Sequence, residues 1–109
     1  MAVELSSMAL DQGSFPCPPC AVTWRDLDTE LDPDDQDAAA FLITACAEAG
    51  GWTVFLLKEL LDRIDFSERI PRTLAFSRLE RREYLRMPRA EGDYLVTPLP
   101  KIAGLMKRV

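Results

Sequence analysis

Seven arginines between positions 69 and 89 are the first feature of this 109-residue chain with an evident chemical use. Arg69, Arg72, Arg78, Arg81, Arg82, Arg86 and Arg89 supply planar, permanently charged forks that can grip a phosphate or the O6/N7 edge of a guanine. Thr73 and Ser77 lie among them and can donate to phosphate oxygens, helped by the amides of a helix N-terminus. The plainer alternative is a solvated helix face partly neutralised by Glu68, Glu80 and Glu83. Both readings are open at this level.

Cys17-Pro18-Pro19-Cys20 has the spacing of a redox pair or of half a zinc knuckle. Two prolines between the thiols deny the first cysteine a normal helical turn, and with it the dipole that would activate it. Cys17 and Cys20 stand as redox candidates beside the simpler reading of an arm whose thiols do little. Cys46 falls in an alanine-rich stretch and reads as core. The chain has three cysteines and no histidine, which removes histidine-based nucleophile pairs, histidine-containing zinc sites and an all-thiolate four-ligand site. The Asp-rich segment 26–37 lacks the sixth-position glycine and closing glutamate of a calcium loop, so helix capping and a solvated loop explain it better. The expectation is a protein without catalytic residues, metal or cofactor.

Charge is distributed unevenly. The total is −5, but residues 1–50 carry −9 and residues 51–109 carry +4. Such a split predicts a basic working face and an acidic opposite side. Apolar residues at 48% and charged residues at 28% match a globular chain of one domain. Met1-Ala2-Val3-Glu4-Leu5 lacks the basic start of a secretory signal, and the longest uncharged helical stretch, Ala38 to Ala47, is too short for a bilayer. With an odd cysteine count, a soluble cytoplasmic protein is expected.

These side chains need elements to hold them. A weak apolar pattern allows a short helix over residues 1–12, and Gly13 to Pro19 reads as an extended arm. Thr23 and Asp26 look like a capping box for a short helix from Trp24 to about Glu30. Asp32-Pro33-Asp34-Asp35 starts a helix over 33–49 that Gly50-Gly51 stops. Its centre is apolar all round and must be buried on more than one side. Helical spacing predicts a second helix over 53–64 and a third over 71–82, with Ala75, Phe76 and Leu79 inward and Thr73, Ser77, Arg78, Arg81 and Arg82 outward. Leu74 falls among the outward group without a packing reason. Trp24 and Trp52 are expected to anchor neighbouring segments to the core.

Residues 84–87 and 93–97 then read as strands joined through Pro88-Arg89-Ala90-Glu91-Gly92, and a last helix covers 99–108. The arm is assigned to residues 1–32 and the folded unit to 33–109. An all-round apolar helix in so small a unit predicts a homodimer, sealed by the N-terminal segment or the last helix.

The order of elements and two stretches of wording, Arg78-Leu79-Glu80-Arg81-Arg82-Glu83-Tyr84-Leu85-Arg86 and Asp93-Tyr94-Leu95-Val96-Thr97-Pro98, resemble the winged helix-turn-helix superfamily over about residues 35–109. The fold that the resemblance implies is mainly α with a small β-hairpin wing. It implies a transcriptional regulator that binds double-stranded DNA, with Thr73, Ser77, Arg78, Arg81 and Arg82 at the major groove. Arg69 and Arg72 would support them, and Arg86 and Arg89 would track the backbone from the wing. The alternative is the same fold used to bind a protein partner. Glu83 stands where that superfamily often has Gly or Asn, so a remodelled turn or a continued helix is expected there.

Overall fold

The structure, a computed structural model, describes residues 15, 17–27 and 30–106. The helix expected over residues 1–12 and the last two residues of the expected terminal helix lie outside that set. The described chain is mixed α/β, about half helical, with a small antiparallel sheet of four strands.

Helix α1 spans Pro33–Glu48, close to its predicted range. Pro33 takes the first helical position, where its missing N–H costs nothing. The Asp32 carbonyl accepts the Gln36 N–H at 2.9 Å to start the ladder. At the other end Gly50, with φ 91°, lets Gly51 N–H reach the Cys46 carbonyl at 3.0 Å and close the helix. Ala38, Ala39, Ala40, Leu42, Ile43, Ala45 and Cys46 are all buried, as their all-round apolar pattern requires.

What covers α1 is the chain itself. The buried side of a later helix packs on it, while Val22 and Thr44 exchange two hydrogen bonds of 3.0 Å across its other flank. Trp52 donates to the Cys17 carbonyl at 2.8 Å and stacks on Phe15 with ring centres 4.6 Å apart. Leu27 is buried and bridges to Met106. Docking of the segment 17–27 therefore covers the second side of α1. Trp24 does not anchor anything in the way Trp52 does; it is about half exposed on a single 3₁₀ turn, Trp24–Asp26, shorter than the expected helix.

The helix expected over 53–64 is split. Phe55–Leu56 form β1, and only Leu57–Leu61 form α2. Phe55 and Leu56 face Val96 and Leu95 of the central strand, and that pairing outweighs local helical spacing. The N-terminal amides of α2 find a partner at a distance: Lys58 N–H donates to Asp93 Oδ2 at 3.2 Å. A 3₁₀ turn, Phe66–Glu68, leads into α3, Arg69–Arg81, which starts two residues earlier than expected. Pro71 lies in its first turn, where no i−4 carbonyl awaits its nitrogen.

Strands β2 (Leu85–Arg86), β3 (Arg89–Ala90) and β4 (Asp93–Pro98) make the hairpin. The register is unbroken from Leu85↔Pro98 to Ala90↔Asp93, so Pro88 and Ala90 belong to the ladder rather than to the loop expected there. Pro88 separates β2 from β3 because it has no N–H to give, while its carbonyl still accepts Leu95 N–H at 2.8 Å. The turn proper is Glu91-Gly92, both with positive φ (51° and 82°), as a tight two-residue hairpin turn demands. Strand β4 is central, with β1 on one edge and β2 and β3 on the other. The last helix, α4, is only Pro100–Ala103. The chain then turns so that Met106 can pair with Leu27, which ends the expected helix early.

Candidate functional site

Helix α3 carries most of the residues singled out above, and its two ends differ. Ala75, Phe76 and Leu79 are buried, as expected. At 100° per residue the opposite crest runs through Ile70, Leu74, Ser77 and Arg81, continued backward by Phe66. Phe66 is 83% exposed, Ile70 74% and Leu74 54%. The N-terminal half of the crest is an apolar ridge with four-residue spacing, and the arginine face begins only beyond it. Leu74, which had no packing reason on the outward face, is thus part of a set.

Several predicted contact residues are already engaged within the chain. Arg78 Nε and one terminal nitrogen lie 2.8 and 2.7 Å from Asp35 Oδ1, a carboxylate only 1% exposed. That hydrogen bond raises the Arg78 pKa against the opposing effect of desolvation, with the charges of Asp35, Asp34 and Asp32 adding to the rise. Arg78 therefore ties α3 to α1. Arg69 pairs with Asp62 at 3.7 Å and lies over the Phe66 ring at 5.5 Å. Arg72 lies over Phe41 at 4.9 Å. The Thr73 hydroxyl donates back to the Arg69 carbonyl at 2.8 Å, and Ser77 is half-buried.

Arg81, Arg82, Arg86 and Arg89 remain exposed at the far end of α3 and on the hairpin, without an ion pair among the described residues. Arg89 lies over Tyr94 at 5.6 Å. Between helix and hairpin the expected remodelling does not occur: Glu83 takes the left-handed conformation, φ 67°. Tyr84 N–H reaches the Leu79 carbonyl at 3.0 Å and Glu83 N–H the Glu80 carbonyl at 2.9 Å, so a standard helix end forms with a side chain where glycine would be unstrained. Lys101 reaches over Tyr84 to donate to the Arg82 carbonyl at 2.6 Å, adding a cation at the negative end of the helix.

Asp65 and Glu68 are exposed near Phe66 in sequence, and a recess on the side of α3 turned away from the ridge is lined by Asp34, Asp37, Glu68, Pro71 and Arg72. Cys17, Cys20 and Cys46 are free thiols. Burial pushes the Cys46 thiol up to about 11, against a weak opposing bond to the Thr53 carbonyl. No cluster of three or more metal-ligating side chains occurs among the described residues, and no helix among them is long and apolar enough to cross a membrane.

Sequence reasoning missed Phe66, Ile70 and Asp35. The first two escape notice because a helix begun at Pro71 leaves them in a turn; begun at Arg69, their spacing with Leu74 is visible. Asp35 shares helical spacing with Ala38, Ala39 and Leu42, a legible sign that it faces inward. No protein-family model, no curated protein and no solved structure matches this chain.

Proposed function

We propose that this chain is a protein-interaction module on a winged helix-turn-helix scaffold, with the apolar crest of α3 as its contact surface. The scaffold is supported by the order α1, β1, α2, α3 and hairpin, and by the pairing of β1 with the central strand β4. In that scheme α2 and α3 form the helix-turn-helix, and the turn Glu91-Gly92 is the wing tip.

The observation that carries the reading is the exposure of Phe66, Ile70 and Leu74 along one line. Fully burying a large apolar side chain is worth roughly 1.5–3 kcal/mol, and aligned exposed ones are a recurrent sign of a protein contact. This is also the end of the helix that would enter a DNA groove, and Asp65 and Glu68 are exposed near it in sequence. A phosphate backbone approaching them meets like charge.

A displayed random-peptide library selected on the full chain, and counter-selected on Ile70→Ser/Leu74→Ser, tests the proposal. Peptides that require the crest are the expected outcome. Selection yielding none would defeat it.

One observation favours a second reading, contact with double-stranded DNA: the exposure of Arg81, Arg82, Arg86 and Arg89. Titration of mixed-sequence duplex at two salt concentrations separates the two. Affinity that falls steeply with salt and depends on these arginines supports DNA. Absence of binding even at low salt leaves the protein contact alone.

A further inference from the structure

We infer that the partner segment seated on the crest is a helix whose apolar face runs on into carboxylates, and that Arg81 receives them. This rests on the reading of the crest as a protein-binding surface and specifies the chemistry of what it takes. The observation behind it is that the ridge runs on into a cation. At 100° per residue Arg81 falls between Ile70 and Leu74, about 20° from each, on the line they define. It stands roughly 10 Å beyond Leu74 along the axis, with the half-buried Ser77 between them on the crest.

The charge of Arg81 is available there. Arg81 is exposed and has no ion pair among the described residues, unlike Arg69 with Asp62 and Arg78 with Asp35. The negative end of the helix has a separate cation in Lys101, which donates to the Arg82 carbonyl at 2.6 Å. Glu80 falls about 100° from Arg81 around the helix, where its carboxylate accepts Met87 N–H at 2.9 Å. Glu83 shares a hollow with Glu80, Leu85, Arg86 and Leu99. Both acids are thus turned toward the hairpin, and Arg81 is the charge on the crest itself.

The other end of the ridge differs. Arg69 is held by Asp62 and the Phe66 ring, and Arg72 lies over Phe41 on the side turned to α1. Asp65, exposed, adjoins Phe66 in sequence. A carboxylate is therefore favoured at one end of the ridge and not at the other, which fixes the direction in which a segment lies. The whole chain, at −5, repels an acidic segment at long range. A preference for carboxylates must then come from contact at Arg81, and salt, which screens distant charges first, leaves it in place.

Two synthetic helical peptides test the inference. Both carry the same leucine face, extended by glutamates in one and by lysines in the other. Each is made with its charges before or after the leucines, so that either chain direction can bring them to Arg81. All are titrated by fluorescence anisotropy into the full chain at physiological salt. The better glutamate peptide should bind about tenfold tighter than either lysine peptide. Its affinity should fall roughly tenfold in Ile70→Ser/Leu74→Ser, as truncating interface anchors does. Arg81→Glu should reverse the preference, the lysine peptide gaining what the glutamate peptide loses.

Equal binding of both kinds, still dependent on the crest, overturns the carboxylate assignment while the protein-contact reading stands. A preference for glutamate that survives Arg81→Glu overturns it as well, because Arg81 would not be the receptor. Failure of all peptides to bind, beside crest-dependent peptides from the display selection, removes only the charge assignment; an empty selection removes the contact itself. Displacement of the glutamate peptide by mixed-sequence duplex would give the crest to DNA. A synthetic peptide of residues 1–14, which carry Glu4 and Asp11 among apolar side chains, is titrated alongside. Tighter crest-dependent binding of that peptide, or self-association in sedimentation that Ile70→Ser/Leu74→Ser abolishes, would put this chain's own surface on the crest instead of a partner.

Discussion

The two ends of α3 share one backbone and carry opposite surfaces. At the start, Phe66, Ile70 and Leu74 stand exposed, and the neighbouring arginines are tied down by Asp62 and Phe41. Toward the end and on the hairpin, Arg81, Arg82, Arg86 and Arg89 are exposed, without an ion pair among the described residues. Between them Arg78 turns inward to Asp35. A cluster of arginines in sequence is thus not a cluster in function: some hold the fold, some stack, and some are available. What distinguishes them is which carboxylate or ring lies within reach, and that depends on residues up to forty-three positions away.

The comparison can be broken most forcefully on the buried side of the same helix. Phe76→Ala should destabilise the protein by about 3–5 kcal/mol, read from urea melts, because it opens a cavity against α1. Leu74→Ala, two residues away, should stay within about 0.5 kcal/mol if Leu74 is contact surface rather than core. A comparable loss from both would mean that the crest is covered within the chain.

Burial on the α1 side has a pH signature. Burial pushes the Cys46 thiol up to about 11 in the fold, from 9.0 for an unburied thiol. Above pH 9 the unfolded chain releases a proton that the folded chain keeps, so this contribution is intact below pH 9 and is lost as pH rises toward 11. It amounts to about 2–3 kcal/mol. The difference in urea midpoint between parent and Cys46→Ala should therefore narrow over that window. A constant difference would place Cys46 in contact with water.

Within the arginine series the sharpest contrast is Arg78 against Arg81. Arg78→Ala strands the buried Asp35 carboxylate and should lower the thermal midpoint clearly, whereas Arg81→Ala should leave it almost unchanged. Duplex titrations then separate them again: only the Arg81 change can alter DNA affinity without altering stability. Equal melting of the two variants would remove Arg78 from its structural role.

The smallest expected effect lies where helix gives way to hairpin. Glu83→Gly relieves a left-handed backbone and should stabilise by a few tenths to about 1 kcal/mol, the gain partly offset by glycine's freedom in the unfolded chain. Loss of stability would show that the Glu83 side chain has a partner worth more than the strain.

Much of the fold was legible in the sequence because its cues are local. Pro33 and Gly50 bracket α1, Ala75, Phe76 and Leu79 mark the inner side of α3, and Gly92 marks the hairpin turn. Helix capping, turn chemistry and helical periodicity act within a few residues, and those forces can be read from order alone. Phe55 and Leu56 show the limit. Their spacing suits a helix, yet they form a strand because Leu95 and Val96, far along the chain, offer hydrogen bonds that a helix there would forgo. The same holds for the covering of α1, where composition showed that its second side needed burial but only packing showed that residues 17–27 provide it.

The candidate site divides in the same way. The sequence by itself determined that arginines, an apolar residue on an outward helical face and a lopsided charge would coexist near α3. Only the tertiary structure decided that Arg78 belongs to Asp35, that Ile70 and Phe66 stand exposed with Leu74, and that acids from α1 share a recess with Pro71 and Arg72. The physical reason is range. A helix's periodicity is set by its own 3.6-residue turn, while the partner of a charge or the cover of an apolar face is chosen by whichever distant segment the fold brings alongside.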